Sequence, residues 1–283
     1  MHRFSSIELR GGVAIVTSAA SGIGAALAGE LAARGCALAL ADLDGTRLAQ
    51  VAAAARATGV DATEHVLDVA DAAAVAALPQ AVLQAHGRVT VLVNNAGVAL
   101  GGRFDQLSLA DIEWLMKVNF WGTLRMTHAF LPALARERAA QVVNLSSVFG
   151  LAGPPGQTAY AASKFAVRGF SESLRHELDE AGSPVGVTVV HPGGVRTAIA
   201  TSARLPAGAT LDQVGREHAA WERLLVLTPQ AAARRIVQGI RRREPRVLVG
   251  EDAVKTALVL RLFPVGYWKL MARDIARRIG DGR

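Results

Sequence analysis

The sequence predicts a single α/β domain built on a doubly wound, about seven-stranded parallel sheet. Apolar runs of strand length recur along the chain, and longer Ala- and Leu-rich segments of helical character separate them. No stretch rich in Pro, Gly or Ser divides the 283 residues, and a content 51% hydrophobic and 19% charged supplies one large core.

The candidate strands are Val13–Thr17, Ala37–Ala41, Thr63–Leu67, Val89–Val93, Gln141–Leu145, Val185–Val190 and Arg246–Val249. Alternation of such runs with helical segments predicts a parallel sheet covered by helices, buried on both faces. Helices are expected near 22–34, 44–57, 71–86, 108–136, 158–181 and 228–242, joined to the strands by right-handed crossovers. Residues 196–227 break this rhythm just after a Pro-Gly-Gly turn, which makes them a candidate substrate lid. Residues 1–250 are expected to form the catalytic domain and 251–283 a carboxyl-terminal extension.

The chemistry begins at the first strand-to-helix turn. Thr17, Ser18, Ser21, Gly22, Ile23 and Gly24 place small residues there, so backbone can approach a pyrophosphate and a helix N-terminus can meet its charge. A tight packing turn would have the same composition. Asp42 follows the second strand, and a carboxylate there can bond both ribose hydroxyls of NAD and repel the extra phosphate of NADP. The next residues are Leu43 and Asp44 rather than arginine, which favours NAD over NADP. Asp42 or Asp44 could instead cap the second helix.

Tyr160 and Lys164 stand four apart on a predicted helix and project from one face. A tyrosine of ordinary pKa, about 10, is too weakly ionised to act as a base near neutrality, and an adjacent ammonium favours its phenolate. Such a pair can take a proton from an alcohol or give one to a carbonyl. As an isolated pair they would be read as an exposed helix face.

Taken in order, Thr17 to Gly24, Asn94-Asn-Ala-Gly97, Ser147, Tyr160-Ala-Ala-Ser-Lys164 and Pro192-Gly193 resemble the short-chain dehydrogenase/reductase family over roughly the first 200 residues. That resemblance implies a Rossmann-like single domain with its active site at the carboxyl ends of the strands. It also implies an oxidoreductase that uses a nicotinamide dinucleotide as a homodimer or homotetramer. It places Lys164 on the nicotinamide ribose and makes Ser147 the substrate-orienting serine, with Ser146 the alternative. Asn119 matches an asparagine that holds a water behind the lysine, or is a satisfied core residue. Asn95, Ala96 and Gly97 suit the adenosine half of the cofactor or the sheet centre. Asp68 and Val69 suit the adenine, with a helix cap the alternative for Asp68; Pro192, Gly193, Val195 and Thr197 suit the nicotinamide carboxamide. His191 is read as structural, and no metal is expected. One departure stands out: Ser18 occupies a usual glycine position, tolerable if its backbone avoids Gly-specific angles.

Charge and composition bound the remaining possibilities. Residues 231–283 carry thirteen Lys or Arg against five acids, a balance of +8, and the rest of the chain sums to −1. The apolar residues around Lys255, Arg261, Lys269, Phe263, Tyr267 and Trp268 form a basic amphipathic segment. It could pack over the substrate cleft, enter a subunit interface or touch a membrane surface, and Pro264 and its charges make it unsuited to crossing one. Arg241-Arg-Arg243 complements a helix end, and no nucleic acid is expected. Cys36, the one cysteine, is read as a buried strand residue; with no apolar leader at Met1, a cytoplasmic setting follows as the expectation. Leu151, Ala152, Pro154 and Pro155 ahead of Tyr160 suggest an apolar secondary alcohol or ketone as substrate. An NADP-linked carbonyl reductase, or a dinucleotide-binding regulatory protein without turnover, is the alternative.

Overall fold

Alternating strand and helix run from the first buried apolar segment to the last. The computed structural model describes residues 6–199, 201–208, 215 and 223–279. Seven strands form one parallel sheet: β1 (Val13–Thr17), β2 (Ala37–Asp42), β3 (Ala62–Val66), β4 (Val91–Asn94), β5 (Ala140–Leu145), β6 (Val185–Pro192) and β7 (Arg246–Val249). Their spatial order is β3-β2-β1-β4-β5-β6-β7. The chain winds outward from β1 in one direction and from β4 in the other, so a crevice opens at the carboxyl ends of these two neighbours.

Helices α1 (Gly22–Ala32), α2 (Gly45–Arg56) and α7 (Pro229–Arg241) cover one face, where Leu27, Leu31, Leu40, Ile236 and Ile240 are fully buried. Helices α3 (Ala72–His86), α5 (Thr123–Leu134) and α6 (Thr158–Glu180) cover the other around Met126, Phe130 and Leu134. Each such side chain contributes about 1.5–3 kcal/mol by leaving water. Cys36 is buried, and burial pushes its thiol up to about 12, so it stays protonated and inert.

Two expectations need adjustment. The fourth strand reaches Asn94, because that residue pairs in register with Asn144 and its Nδ2 donates to the Asn144 Oδ1 at 2.8 Å. The helix expected over 108–136 is broken into α4 (Leu109–Met116), a π-helical turn (Lys117–Gly122) and α5. A widened turn of this kind commonly marks a functional site, and here it carries Asn119 into the interior.

The carboxyl-terminal segment forms α8 (Glu251–Leu262) and α9 (Tyr267–Ile279). The Tyr267 hydroxyl accepts the Gly153 N–H at 3.1 Å, which fastens α9 near the start of α6. No described helix is long and apolar enough to cross a membrane.

Candidate active site

Thr17 closes β1 and ties it to β4, its hydroxyl accepting the Asn95 and Ala96 N–H groups at 2.9 Å each. Asn95 returns the tie, donating from Nδ2 to the carbonyls of Thr17 and Ser18 at 3.0 and 3.1 Å. Ser18 has φ +51°, in the left-handed region that favours glycine, so the condition for an unstrained serine at this site is not met. The next residues explain why: Ala19 donates to the Ala41 carbonyl at 3.1 Å and Ala20 to the Asp42 carboxylate at 2.9 Å, which forces the chain to reverse at Ser18. Holding a side chain there costs about 1–2 kcal/mol. Gly24 has no such latitude, since a Cβ would lie 2.0 Å from the Ser18 carbonyl oxygen.

This turn fits a dinucleotide. Ser21 precedes α1 without capping it, and no acid stands in the first helical turn, so the opening N–H groups and positive dipole end are free for an anion such as a pyrophosphate. Asp42 accepts from Ala20 and, through its other oxygen, from Asp44 at 3.0 Å, leaving further lone pairs at the end of β2 for hydroxyl donors. Asp44, not Asp42, caps α2, accepting the Arg47 N–H at 2.9 Å.

A cavity of about 760 Å³ joins this turn to the predicted proton-transfer groups. Of the residues singled out by sequence, Ser18, Ser21, Gly22, Ile23, Asn95, Gly97, Ser147, Tyr160, Lys164, Pro192, Gly193, Val195 and Thr197 line it. Thr17, Gly24, Asp42, Asp68, Val69, Ala96 and Asn119 do not line it. Asp68 is exposed and turns onto the Ala70 N–H at 2.8 Å, while Asp71 caps α3. Val69 is buried against Gly122.

Helix α6 delivers Tyr160 and Lys164 from one face. Lys164 is buried; its Nζ donates to the Leu145 carbonyl at 3.1 Å and lies 5.7 Å from the Tyr160 ring centroid. Burial pushes the Tyr160 phenol up to about 12, while a hydrogen bond with the Ser147 side chain pulls it down. Burial likewise pushes the Lys164 ammonium down to about 8. Desolvation thus governs both groups here. The two serines divide the work: Ser146 Oγ donates to the Lys164 carbonyl at 2.8 Å, and Ser147 pairs with Tyr160.

Asn119 accepts the Val98 N–H at 2.8 Å and donates to the Val98 carbonyl and the Ser163 hydroxyl at 3.0 Å each, so protein partners satisfy its amide. Gly97 lies between it and the lysine, for a Cβ there would be 3.2 Å from Lys164 Nζ and 3.4 Å from Asn119 Oδ1. His191 holds the Ser147 carbonyl at 2.8 Å through Nδ1, and burial pushes its ring down to about 4, so it stays neutral as a support.

Two parts of the wall escaped sequence reasoning. Leu151, Ala152, Pro154 and Pro155 do not line the cavity; Leu151 and Ala152 are spent on packing, and the apolar wall comes from Val148, Phe149, Leu205, Leu224, Val259 and Met271. The second is Asp252 of α8, which accepts the Gly194 N–H at 2.6 Å. A Cβ on Gly193 would lie 2.1 Å from its Oδ1, so the Pro-Gly-Gly turn is small where this carboxylate docks. Alternation of polarity in α8 gave no hint of a contact 58 residues distant. The candidate lid falls partly on residues 200, 209–214 and 216–222, which lie outside the described residues. Its described part is anchored by Arg204, which stacks 3.5 Å from the Trp114 ring and bonds Asp111 at 3.2 Å.

Residues 12–207 match the family described as short chain dehydrogenase. The chain belongs to the short-chain dehydrogenase/reductase family. It is 42% identical over 96% of its length, and 98% of the relative's, to a Mycobacterium tuberculosis protein that carries the name oxidoreductase SadH. A short-chain dehydrogenase/reductase of Burkholderia phymatum, solved in complex with NAD, is 34% identical and superposes with a TM-score of 0.84 over 90% of this chain and 95% of that one. A metagenomic short-chain oxidoreductase, solved in complex with NADP, is 31% identical with a TM-score of 0.69 over 86% and 98% of the two chains. As a short-chain dehydrogenase/reductase, the protein is an oxidoreductase with the family's parallel-sheet architecture. The family match ends before α8, whereas likeness to SadH covers nearly the whole chain.

Proposed function

We propose that this protein is an NAD-linked dehydrogenase that interconverts an apolar secondary alcohol and its ketone. The observation that carries this is one cavity lined together by the uncapped start of α1, by Ser147, Tyr160 and Lys164, and by apolar side chains. A bound nicotinamide dinucleotide would supply the hydride chemistry. The chain's own residues handle the proton. Ser147 orients the reacting oxygen, and the Tyr160 oxygen takes the alcohol proton in oxidation or returns it in reduction.

With the phenol pushed up to about 12, the cofactor-free site holds Tyr160 protonated at neutral pH, ready for reduction. Oxidation needs positive charge beside the phenol. Lys164, at about 8, is largely ammonium at pH 7 and stands 5.7 Å from the ring centroid to provide it. Val148, Phe149 and Met271 favour an apolar substrate.

Asp42 supports NAD over NADP, since its carboxylate would oppose a ribose phosphate. Titration with NADH and NADPH by nicotinamide fluorescence, followed by turnover on a panel of secondary alcohols, tests both parts. Wild type should prefer NADH, and Asp42→Asn should relax the preference about tenfold or more, a change of ~1.4 kcal/mol or greater. Tighter NADPH binding by wild type would instead establish the NADP-linked carbonyl reductase, a cofactor use the metagenomic relative's complex illustrates. Cofactor binding without turnover on any alcohol or ketone would favour a regulatory protein.

A further inference from the structure

Helices α8 and α9 carry apolar residues on two sides. Thr256 and Val259 of α8, with Leu270 and Met271 of α9, face the cavity. The other side faces solvent: Val254, Leu258 and Leu262 are 52, 56 and 62% exposed, and Phe263 and Val265, at 50 and 91%, extend the patch past the end of α8. Spacing by four keeps the first three on one side of the helix. A contiguous apolar surface of this kind marks a contact with something other than water.

Charge selects the occupant. Arg261 of α8 and Lys269 and Arg273 of α9 are exposed. Of the acids of the same helices, Asp252 holds Gly194, Glu251 lies 3.7 Å from Lys255, and Asp274 is exposed at the cavity rim, so cations outnumber them. Residues 251–279, which span the two helices, carry six Lys or Arg against three acids. A second copy docked through a twofold contact would set these cations against themselves. An anionic lipid surface attracts them and also takes up the apolar stripe.

We infer that this face docks the protein on an anionic bilayer, with α8 lying at the headgroup boundary. The same helices wall the cavity, so an apolar alcohol or ketone dissolved in that bilayer would be concentrated beside the site. This last step rests on the proposed function; the docking itself does not.

The test uses the full-length protein, sedimented with vesicles of phosphatidylcholine alone or mixed with phosphatidylglycerol. Wild type should pellet with the mixed vesicles, remain in solution with the neutral ones, and be released by high salt. A triple variant, Val254→Gln, Leu258→Gln and Leu262→Gln, and a separate pair, Arg261→Gln with Lys269→Gln, should each lower partitioning roughly tenfold or more. Both should melt and bind NADH as wild type does, since none of these five side chains lines the cavity. Failure of wild type to bind the mixed vesicles, or equal binding by the triple variant, overturns the inference. So does light scattering that finds a dimer dissociated by the triple variant, which would assign the stripe to a second copy. Vesicle binding that persists in a protein without turnover leaves docking intact and refutes the dehydrogenase instead.

Discussion

Asp252→Ala should weaken cofactor binding from a position outside the segment that matches the family. Its carboxylate accepts the Gly194 N–H at 2.6 Å and the Ala253 N–H at 2.9 Å. Hydrogen bonds to a charged group contribute about 1.5–3 kcal/mol, and alanine leaves a partly buried N–H without this acceptor. The release would not stop there, because the Gly194 carbonyl accepts Leu227 N–H at 3.0 Å and the Leu227 carbonyl accepts Arg196 N–H at 2.8 Å. If the loss falls on the shape of the Pro-Gly-Gly turn, the NADH dissociation constant rises about 10- to 150-fold. Asp252→Asn keeps one acceptor oxygen, enough for Gly194 but not for Ala253 as well, and loses the charge, so it should recover only part of the affinity. Fluorescence titration with NADH, paired with thermal melting of the cofactor-free protein, separates the effects. A purely structural residue would lower the melting temperature and leave the affinity of the folded protein unchanged; unaltered NADH affinity in the alanine variant refutes the positioning role.

Tyr160→Phe should bind NADH as wild type does and lose about 10²–10⁴-fold in kcat, because it deletes the proton-transfer oxygen and almost no volume. Full steady-state activity would refute the tyrosine mechanism. Lys164→Met tests the buried ammonium through stability. Its native value of about 8 lies below the ordinary 10.5, so between those limits the unfolded chain holds a proton the folded one has lost, and stability rises with pH. Tyr160, raised from 10 to about 12, acts oppositely above pH 10. Denaturant unfolding at pH 8 and 10 should therefore show wild type gaining stability relative to the methionine variant; no relative gain would mean the lysine is better solvated than its burial suggests. Ser18→Gly removes a Cβ from a residue at φ +51° and, after the added chain entropy of glycine, should stabilise by about 0.5–1 kcal/mol. A lower melting temperature would show that the serine hydroxyl contributes more than its strained backbone costs.

What the sequence could reveal was set by distance along the chain. Tyr160 and Lys164 were legible because a helix turns four residues into one face, and the central strands because burial on both faces leaves largely apolar runs such as Val13–Thr17 and Val91–Asn94. Asp44 was legible as a cap because its partner is three residues away. Ser18 was not, because its angle is imposed by bonds from Ala19 and Ala20 to the end of β2, more than twenty residues on. The π-helical turn at Asn119 was hidden for a related reason. Its side-chain partners, Val98 and Ser163, come from either side of the chain, while the local periodicity reads as one continuous helix. Asp252 is the extreme case. Its neighbours in sequence describe a helix beginning with two acids, and nothing local distinguishes the one that reaches Gly194 from Glu251, which meets Lys255 on the surface. Residues proposed to carry the chemistry are therefore readable from local pattern, whereas those that would hold it in place belong to the tertiary contacts. On the proposed function, specificity is expected in the carboxyl-terminal helices, which wall the cavity and lie beyond the family match, rather than in the proposed proton-transfer groups. Exchange of α8 and α9 for those of a relative should accordingly change which alcohol is oxidised more than how fast the proton moves.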